Sequence, residues 1–368
     1  MHLSIASAQS LVAKKGIWFP MGFSNLFHAL SDIRRADTAG AYSLVCSHPS
    51  PQFVGLAAAD VALTEPLSES AFLAFAVETI RVHSIRVVVP SRRQELFNRH
   101  PDLWRQLGVT VLTVASTRNL RRIDQKAALY HYLKPKDIVA IPAFATFKST
   151  AEFDTTYAAL KARHETVCIK PAYGVYGSGF RILKDSPDRL ADLLSESLYL
   201  SVAGLRARLD LDAGATMLVM QYLEGAERSV DCLADKGQLL AGIIRRKHSA
   251  KIAGQVIEDN PAMMEQVRAL TACLGLNGLF NVQFKDHGGV PYLLEINARM
   301  SGRSYYATVA GCNLPYLACE RFASGRSLEE LQYTVQHGIC IGNVTAPVPV
   351  PVPVPASGPE FRSLRESA

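Results

Sequence analysis

Short apolar runs alternate with helix-like stretches through the first hundred or so residues, and this alternation restricts the fold more than any other feature of the chain. Residues 16–20, 42–46, 85–90 and 109–114 have the length and composition of buried strands. Residues 25–35, 70–83 and 93–107, which lie between them, read as helices. A strand that returns parallel to its predecessor needs a crossover, and such crossovers are right-handed, so residues 1–115 are expected to form a parallel α/β sheet of Rossmann-like type. The first turn, from Pro20 through Met21, Gly22 and Phe23 to Asn25, lacks the GxGxxG spacing of a dinucleotide site. The expected role of this region is one wall of the acceptor-substrate pocket at the carboxyl ends of its strands, with a plain scaffold as the alternative.

Further along, an apolar run at 167–169 delivers Lys170 into a glycine-rich stretch that contains Gly174, Gly177, Ser178 and Gly179, and a second apolar run leaves it at 180–183. Glycines let backbone N–H groups turn toward phosphate oxygens without a Cβ in the way, and the lysine adds a point charge. The lysine precedes the glycines, so this is no Walker A loop, and an ordinary glycine-rich hairpin turn is the bland reading.

Residues 278–284 and 292–297 read as two strands of a hairpin. Glu295 and Asn297 are two apart, share one face and can offer hard oxygen ligands to one ion, while Arg299 and Arg303 follow at once. A magnesium site beside an anion site is the implication. For Gln283 to face the same way, a three-residue connection at 287–289 would pair Asn281 with Glu295 and Gln283 with Leu293. Without a ligand the same residues make a buried hairpin with a polar end.

Taken in this order, the motifs resemble the ATP-grasp superfamily, in particular the carbamoyl phosphate synthetase large-chain type and the carboxylate-amine ligases, across roughly residues 115–320. The resemblance implies an α/β ATP-grasp fold: a Rossmann-like domain at 1–115, a flexible lid subdomain at 116–216, a metal-bearing subdomain at 217–345 and a proline-rich tail at 346–368. It implies that Lys126, at the end of Asp124-Gln125-Lys126, contacts nucleotide phosphates, and that Lys170 with the loop through Gly174, Gly177, Ser178 and Gly179 closes on them. The backbone of Gln221, Tyr222 and Leu223 would read the adenine edge of ATP, and Glu227 would hold the ribose. Gln283, Glu295 and Asn297 would hold Mg²⁺ (or Mn²⁺). Arg299, and with it Arg303, would meet charge on the transferred phosphoryl group, and Arg245 would face the acceptor. Many relatives carry an acid at the positions of Gln221 and Gln283. The first change leaves main-chain recognition intact, whereas the second weakens one metal ligand.

The activity implied is phosphorylation of a small-molecule carboxylate by ATP, followed by capture of the acylphosphate by an amine, with amino acids as examples. A carboxylating or phosphorylating enzyme and a non-catalytic ATP-binding module are the other readings. The composition agrees: 368 residues, 48% hydrophobic and 20% charged, suit a multidomain globular enzyme. The net charge of +6 is spread among acids rather than gathered in a stripe, so no nucleic-acid partner is expected. Seven cysteines without a CxxC pair suggest reduced thiols. No basic leader or long apolar span appears, so a cytoplasmic protein with no membrane partner is expected, with a homodimer left open. Proline at every second position from Pro347 to Pro355 favours an extended spacer over a sheet or helix, and a PxxP-type ligand is the alternative.

Overall fold

The computed structural model describes residues 13–23, 25–173, 179–188, 198–211, 215–247, 254–327, 329–344 and 347–350. Its first sheet consists of β1 (Lys15–Pro20), β2 (Tyr42–His48), β3 (Val61–Thr64), β4 (Ile85–Val88) and β5 (Thr110–Val111), all parallel, in the order β3-β2-β1-β4-β5. Both faces are covered, as a parallel sheet requires. On one side Ile17, Phe19, Leu44 and Cys46 pack against the helix Leu26–Ala36 and the last helices of the chain. On the other, Trp18, Val45 and Val88 pack against the helix Glu69–Val82. The strand order reverses between β1 and β4.

Local chemistry explains where the elements depart from the sequence reading. The helix expected at 93–107 is two, Gln94–Arg99 and Pro101–Gln106, because Pro101 cannot donate into a continuous helix. Helical backbone near the end of the chain is likewise broken in two, Tyr305–Val309 and Leu314–Phe322. Gly311 breaks it at φ +101, where a Cβ would stand 2.1 Å from the carbonyl oxygen of Thr334. β3 was not foreseen, and β5 is shorter than expected.

The second sheet contains β6 (Phe144–Phe147), β7 (Val167–Pro171), β8 (Arg181–Lys184), β9 (Tyr199–Ser201) and β10 (Met217–Gln221), in the order β6-β10-β7-β8-β9. The third is β15-β14-β11-β12-β13-β16, built from β11 (Glu227–Asp235), β12 (Gln238–Lys247), β13 (Gln255–Glu258), β14 (Gly278–His287), β15 (Val290–Asn297) and β16 (Cys340–Ile341). The chain therefore passes from the second sheet to the third after Gln221. The helices Thr117–Asp124 and Lys126–Leu133 send Leu120, Ile123, Leu129 and Leu133 into the core of the third sheet, beside Val230, Phe284, Leu293 and Ile296.

Among the described residues no helix is long and apolar enough to cross a membrane. Cys46, Cys168, Cys232, Cys312 and Cys319 are buried free thiols. Residues 347–350 carry no regular structure, and the rest of the proline-rich tail lies outside the described residues.

Candidate active site

The hairpin of β14 and β15 closes through Gly288 and Gly289 alone, both at positive φ (56° and 79°), as a two-residue turn of the type that matches strand twist requires. The register expected from a three-residue loop is therefore corrected. Asn281 faces Asn297 and Gln283 faces Glu295, after which the ladder slips so that Phe284 faces Leu293. Leu294 is the extra residue of a β-bulge. The bulge breaks the two-residue alternation: Leu293 and Ile296 stay in the core, while Leu294 and Glu295, although consecutive, both line a cavity. The hydroxyl of Tyr130, a fully buried residue, donates to the carbonyl oxygen of Leu294 at 2.6 Å and pins the bulge.

That cavity, of about 460 Å³, lies between the second and third sheets. Lys126 Nζ stands 3.4 Å from Glu295 Oε2, and Lys170 Nζ donates to the Tyr130 hydroxyl at 3.3 Å. Burial pulls both ammonium groups below the ordinary lysine range, and the Glu295 charge opposes this. Farther along the wall are Gln221, Tyr222, Leu223 and Glu227. Glu227 is paired with Lys247 at 2.5 Å, and the Lys285 ammonium lies 5.6 Å from the centroid of the Tyr222 ring. Gly179 stands at φ +77, where a Cβ would meet the ring of Pro171, a residue of the cavity wall, at 2.8 Å.

A second cavity of about 460 Å³ shares Lys126, Glu295 and Arg299 with the first and extends to the loops after β1 and β4, where Phe23 and Arg92 line it. Arg299 stands between the two. Its guanidinium donates to the Met300 carbonyl at 2.9 Å and to Asn297 Oδ1 at 3.2 Å, and lies 5.1 Å from the Phe23 ring centroid. The segment that carries it is held from the first sheet: Gln94 Nε2 donates to the Ala298 carbonyl at 2.6 Å, and Asn25 Nδ2 to the Ser301 carbonyl at 2.7 Å.

Residues 214–346 match the family model described as "ATP-grasp in the biosynthetic pathway with Ter operon". That stretch of the chain is thus similar to an ATP-grasp domain. The chain is 27% identical over 215 residues to carnosine synthase 1 of Homo sapiens, a match that covers 54% of this chain and 26% of that protein. Thus the chain spans about a quarter of the length of that curated relative. Its fold is similar to that of the L-amino acid ligase from Bacillus licheniformis (TM-score 0.58, 16% identity, 88% of this chain and 78% of that one). It is also similar to N5-carboxyaminoimidazole synthetase from Staphylococcus aureus complexed with ADP (TM-score 0.61, 13% identity, 85% and 78%).

The structure brings together Lys126, Lys170, Gln221, Tyr222, Leu223, Glu227, Gln283, Glu295 and Arg299 around one cavity, while Asn297 lines the adjoining one. Gly174, Gly177 and Ser178 lie outside the described residues. Arg303 is exposed and lines neither cavity. Arg245, expected to face the acceptor, does not: it is 2% exposed, paired through Nε to Asp231 at 2.7 Å and bonded to Ser229, Gln255 and Ser301. A guanidinium taken this far from water needs such partners, and meeting them turns it away from the cavities.

The residues fit a divalent ion of a particular kind. Among the described residues no three His, Cys, Asp or Glu side chains converge as a metal cage. Glu295 offers a carboxylate opposite the Gln283 amide, while Asn297 turns its Nδ2 toward Glu295 Oε1 at 3.2 Å and its oxygen toward Arg299. One carboxylate with amide oxygens suits magnesium shared with substrate phosphates and water, and does not suit an all-protein site. Sequence reasoning missed Tyr130 and Lys247. Tyr130 had a signal, because it follows Lys126 by four residues on one helix and so shares its face.

Proposed function

We propose that this chain is an ATP-dependent ligase that activates a small-molecule carboxylate as an acylphosphate and joins it to an amine, releasing ADP and phosphate. The observation that carries the reading is the position of Glu295 and Arg299, which line both cavities at once, so that phosphoryl transfer in one can hand its product to the other. ATP occupies the first cavity, its adenine against Gln221 to Leu223 and its ribose at Glu227. Lys126 and Lys170 neutralise phosphate oxygens, and Glu295 with Gln283 holds Mg²⁺ or Mn²⁺. The bound ion supplies charge neutralisation across the triphosphate.

A carboxylate oxygen of the first substrate attacks the γ-phosphorus, the bond from that phosphorus to the bridging oxygen breaks, and ADP leaves. The amine nitrogen of the second substrate then attacks the acyl carbon, a C–N bond forms, the bond to the phosphate oxygen breaks, and the nitrogen loses a proton. Arg299, oriented by Asn297 and the Met300 carbonyl, meets the charge that develops in both steps. No covalent nucleophile from the protein is needed, because positioning and charge neutralisation carry such transfers.

The names of the relatives, a carnosine synthase and an L-amino acid ligase, direct the choice of substrates toward amino acids. The same reading makes residues 1–115 the Rossmann-like wall of the second cavity, the second sheet the lid and the third sheet the metal-bearing subdomain. It also places the chain in the cytoplasm, where its buried thiols remain reduced. The test is ADP release by the purified protein with Mg²⁺ over a panel of amino acids and small carboxylates, offered singly and in pairs. Release that requires two compounds is the expected result. Release with one alone would make the protein a kinase or hydrolase, and no release with any pair would overturn the reading.

A further inference from the structure

The first sheet reverses its strand order between β1 and β4, and the loops that follow those two strands carry Phe23 and Arg92 into the wall of the second cavity. Open parallel sheets bind ligands at such a reversal, outside the carboxyl ends of the strands. Two non-glycine residues in left-handed backbone sit at these strand ends: Met21 (φ 45°), two before Phe23, and Arg93 (φ 55°), next to Arg92. Strain of this kind persists where the surroundings fix a side chain for use.

The charges at this place are arranged unevenly. The Arg92 guanidinium carbon lies 4.7 Å from the Phe23 ring centroid, and that of Arg299 lies 5.1 Å from the same ring. Arg93 is committed elsewhere: it donates to the Pro66 and Leu67 carbonyls at 3.1 and 3.0 Å and covers Phe72. Arg92, by contrast, makes no hydrogen bond or ion pair among the described residues and stands exposed. A solvated surface arginine would be the ordinary explanation. Its place in a concavity, stacked on a ring it shares with Arg299, points instead to a planar anion that accepts its uncommitted N–H groups.

We propose that the second cavity receives the amine substrate and that Arg92, stacked on Phe23, is a specificity-determining residue that binds a carboxylate on that substrate. The acceptor is then an amino acid, its carboxylate at Arg92 and its amine directed toward Arg299, where the cavities meet. The proposal rests on the ligase reading above.

Its test compares amino acids with their amides as acceptors, the acyl donor held constant, in wild type, Arg92→Ala and Arg92→Lys. The wild type should favour the acid over the amide by about tenfold or more in kcat/KM, the loss expected when a charge-assisted hydrogen bond goes unmade. Arg92→Ala should erase that preference through the acceptor KM and leave the KM values for ATP and donor within about twofold, while Arg92→Lys keeps part of it. Calorimetric binding of acid and amide to the protein with Mg²⁺ and a non-hydrolysable ATP analogue gives the same comparison without turnover. An acid preference that survives in Arg92→Ala, no preference in the wild type by either method, or a loss that falls equally on ATP would overturn the proposal. Two-substrate ADP release with indifferent use of acid and amide would leave the ligase reading standing and remove only this one.

Discussion

Gln283 stands directly across the hairpin from Glu295, and it does so because β15 carries one residue, Leu294, more than its partner strand can pair. The bulge rotates Glu295 into the cavity and keeps Ile296 in the core, so the carboxylate is presented on a rigid, two-stranded support. Lys126 already sits at 3.4 Å from that carboxylate. Glu295→Ala is therefore expected to reduce ADP release by roughly a hundredfold or more, since it removes the charged member of the donor set facing the phosphates. Turnover at the wild-type rate in that variant would remove the metal site from this hairpin.

Tyr130 joins two parts of the site through one hydroxyl, donating to the Leu294 carbonyl at 2.6 Å and accepting from Lys170 at 3.3 Å. Tyr130→Phe keeps the ring and its packing but leaves the bulge carbonyl without its donor. The expected cost is about 1 kcal/mol in urea unfolding, the net worth of a hydrogen bond. A drop in kcat should accompany it, because both the Lys170 ammonium and the bulge lose a positioning contact. Unchanged stability together with unchanged kcat would show that the hydroxyl positions nothing.

Arg245 and Asp231 form an ion pair in which both side chains are 2% exposed, and Asn281 donates a further hydrogen bond to Asp231 at 3.0 Å. Breaking such a pair strands a charge in the interior. Asp231→Ala is expected to destabilise the fold by about 3–5 kcal/mol, and Asp231→Asn by less. Arg245→Ala should likewise act on stability, and should also loosen the segment that bears Arg299, because Arg245 donates to Ser301 Oγ at 2.8 Å. A melt of Asp231→Ala within experimental error of the wild type would contradict this.

The contrast between Glu295 and Arg245 shows what the sequence could reveal. Glu295 and Asn297 were legible because strand periodicity places them on one face whatever the rest of the chain does. The bulge beside them was not, since its anchor, Tyr130, is 164 residues away from Leu294. Arg245 looked like a cation at a strand end, free to face a substrate. Its partner Asp231 stands opposite Ile243, not opposite Arg245, so their pairing is a diagonal that only the observed register of β11 and β12 reveals. A pocket at the carboxyl ends of the first sheet was expected, but its lining was not legible for a similar reason: Phe23 and Arg92 come together only because β1 and β4 are neighbours at the point where the strand order turns. Helix breaks, by contrast, follow from single residues and could have been read at Pro101 and Gly311.

Arg299 offers the sharpest separation of phosphoryl transfer from substrate binding. Its guanidinium is oriented by Asn297 Oδ1 and the Met300 carbonyl, and it lines both cavities. On the proposed ligase reading, a cation held in this way meets charge that appears only as the phosphoryl group moves and as the tetrahedral intermediate forms. Arg299→Ala should lower kcat by roughly a hundredfold or more, in the range for one electrostatic stabiliser, while the Kd for a Mg-ATP analogue changes by less than about threefold. Arg299→Lys should recover only part of the loss, because a point charge cannot reproduce the planar fork that the two backbone and side-chain acceptors orient. If Arg299→Ala instead weakened nucleotide binding in proportion to its loss of kcat/KM and left kcat intact, the residue would be a ground-state phosphate anchor, and the transfer step would have to be stabilised from Lys126 and Lys170 alone.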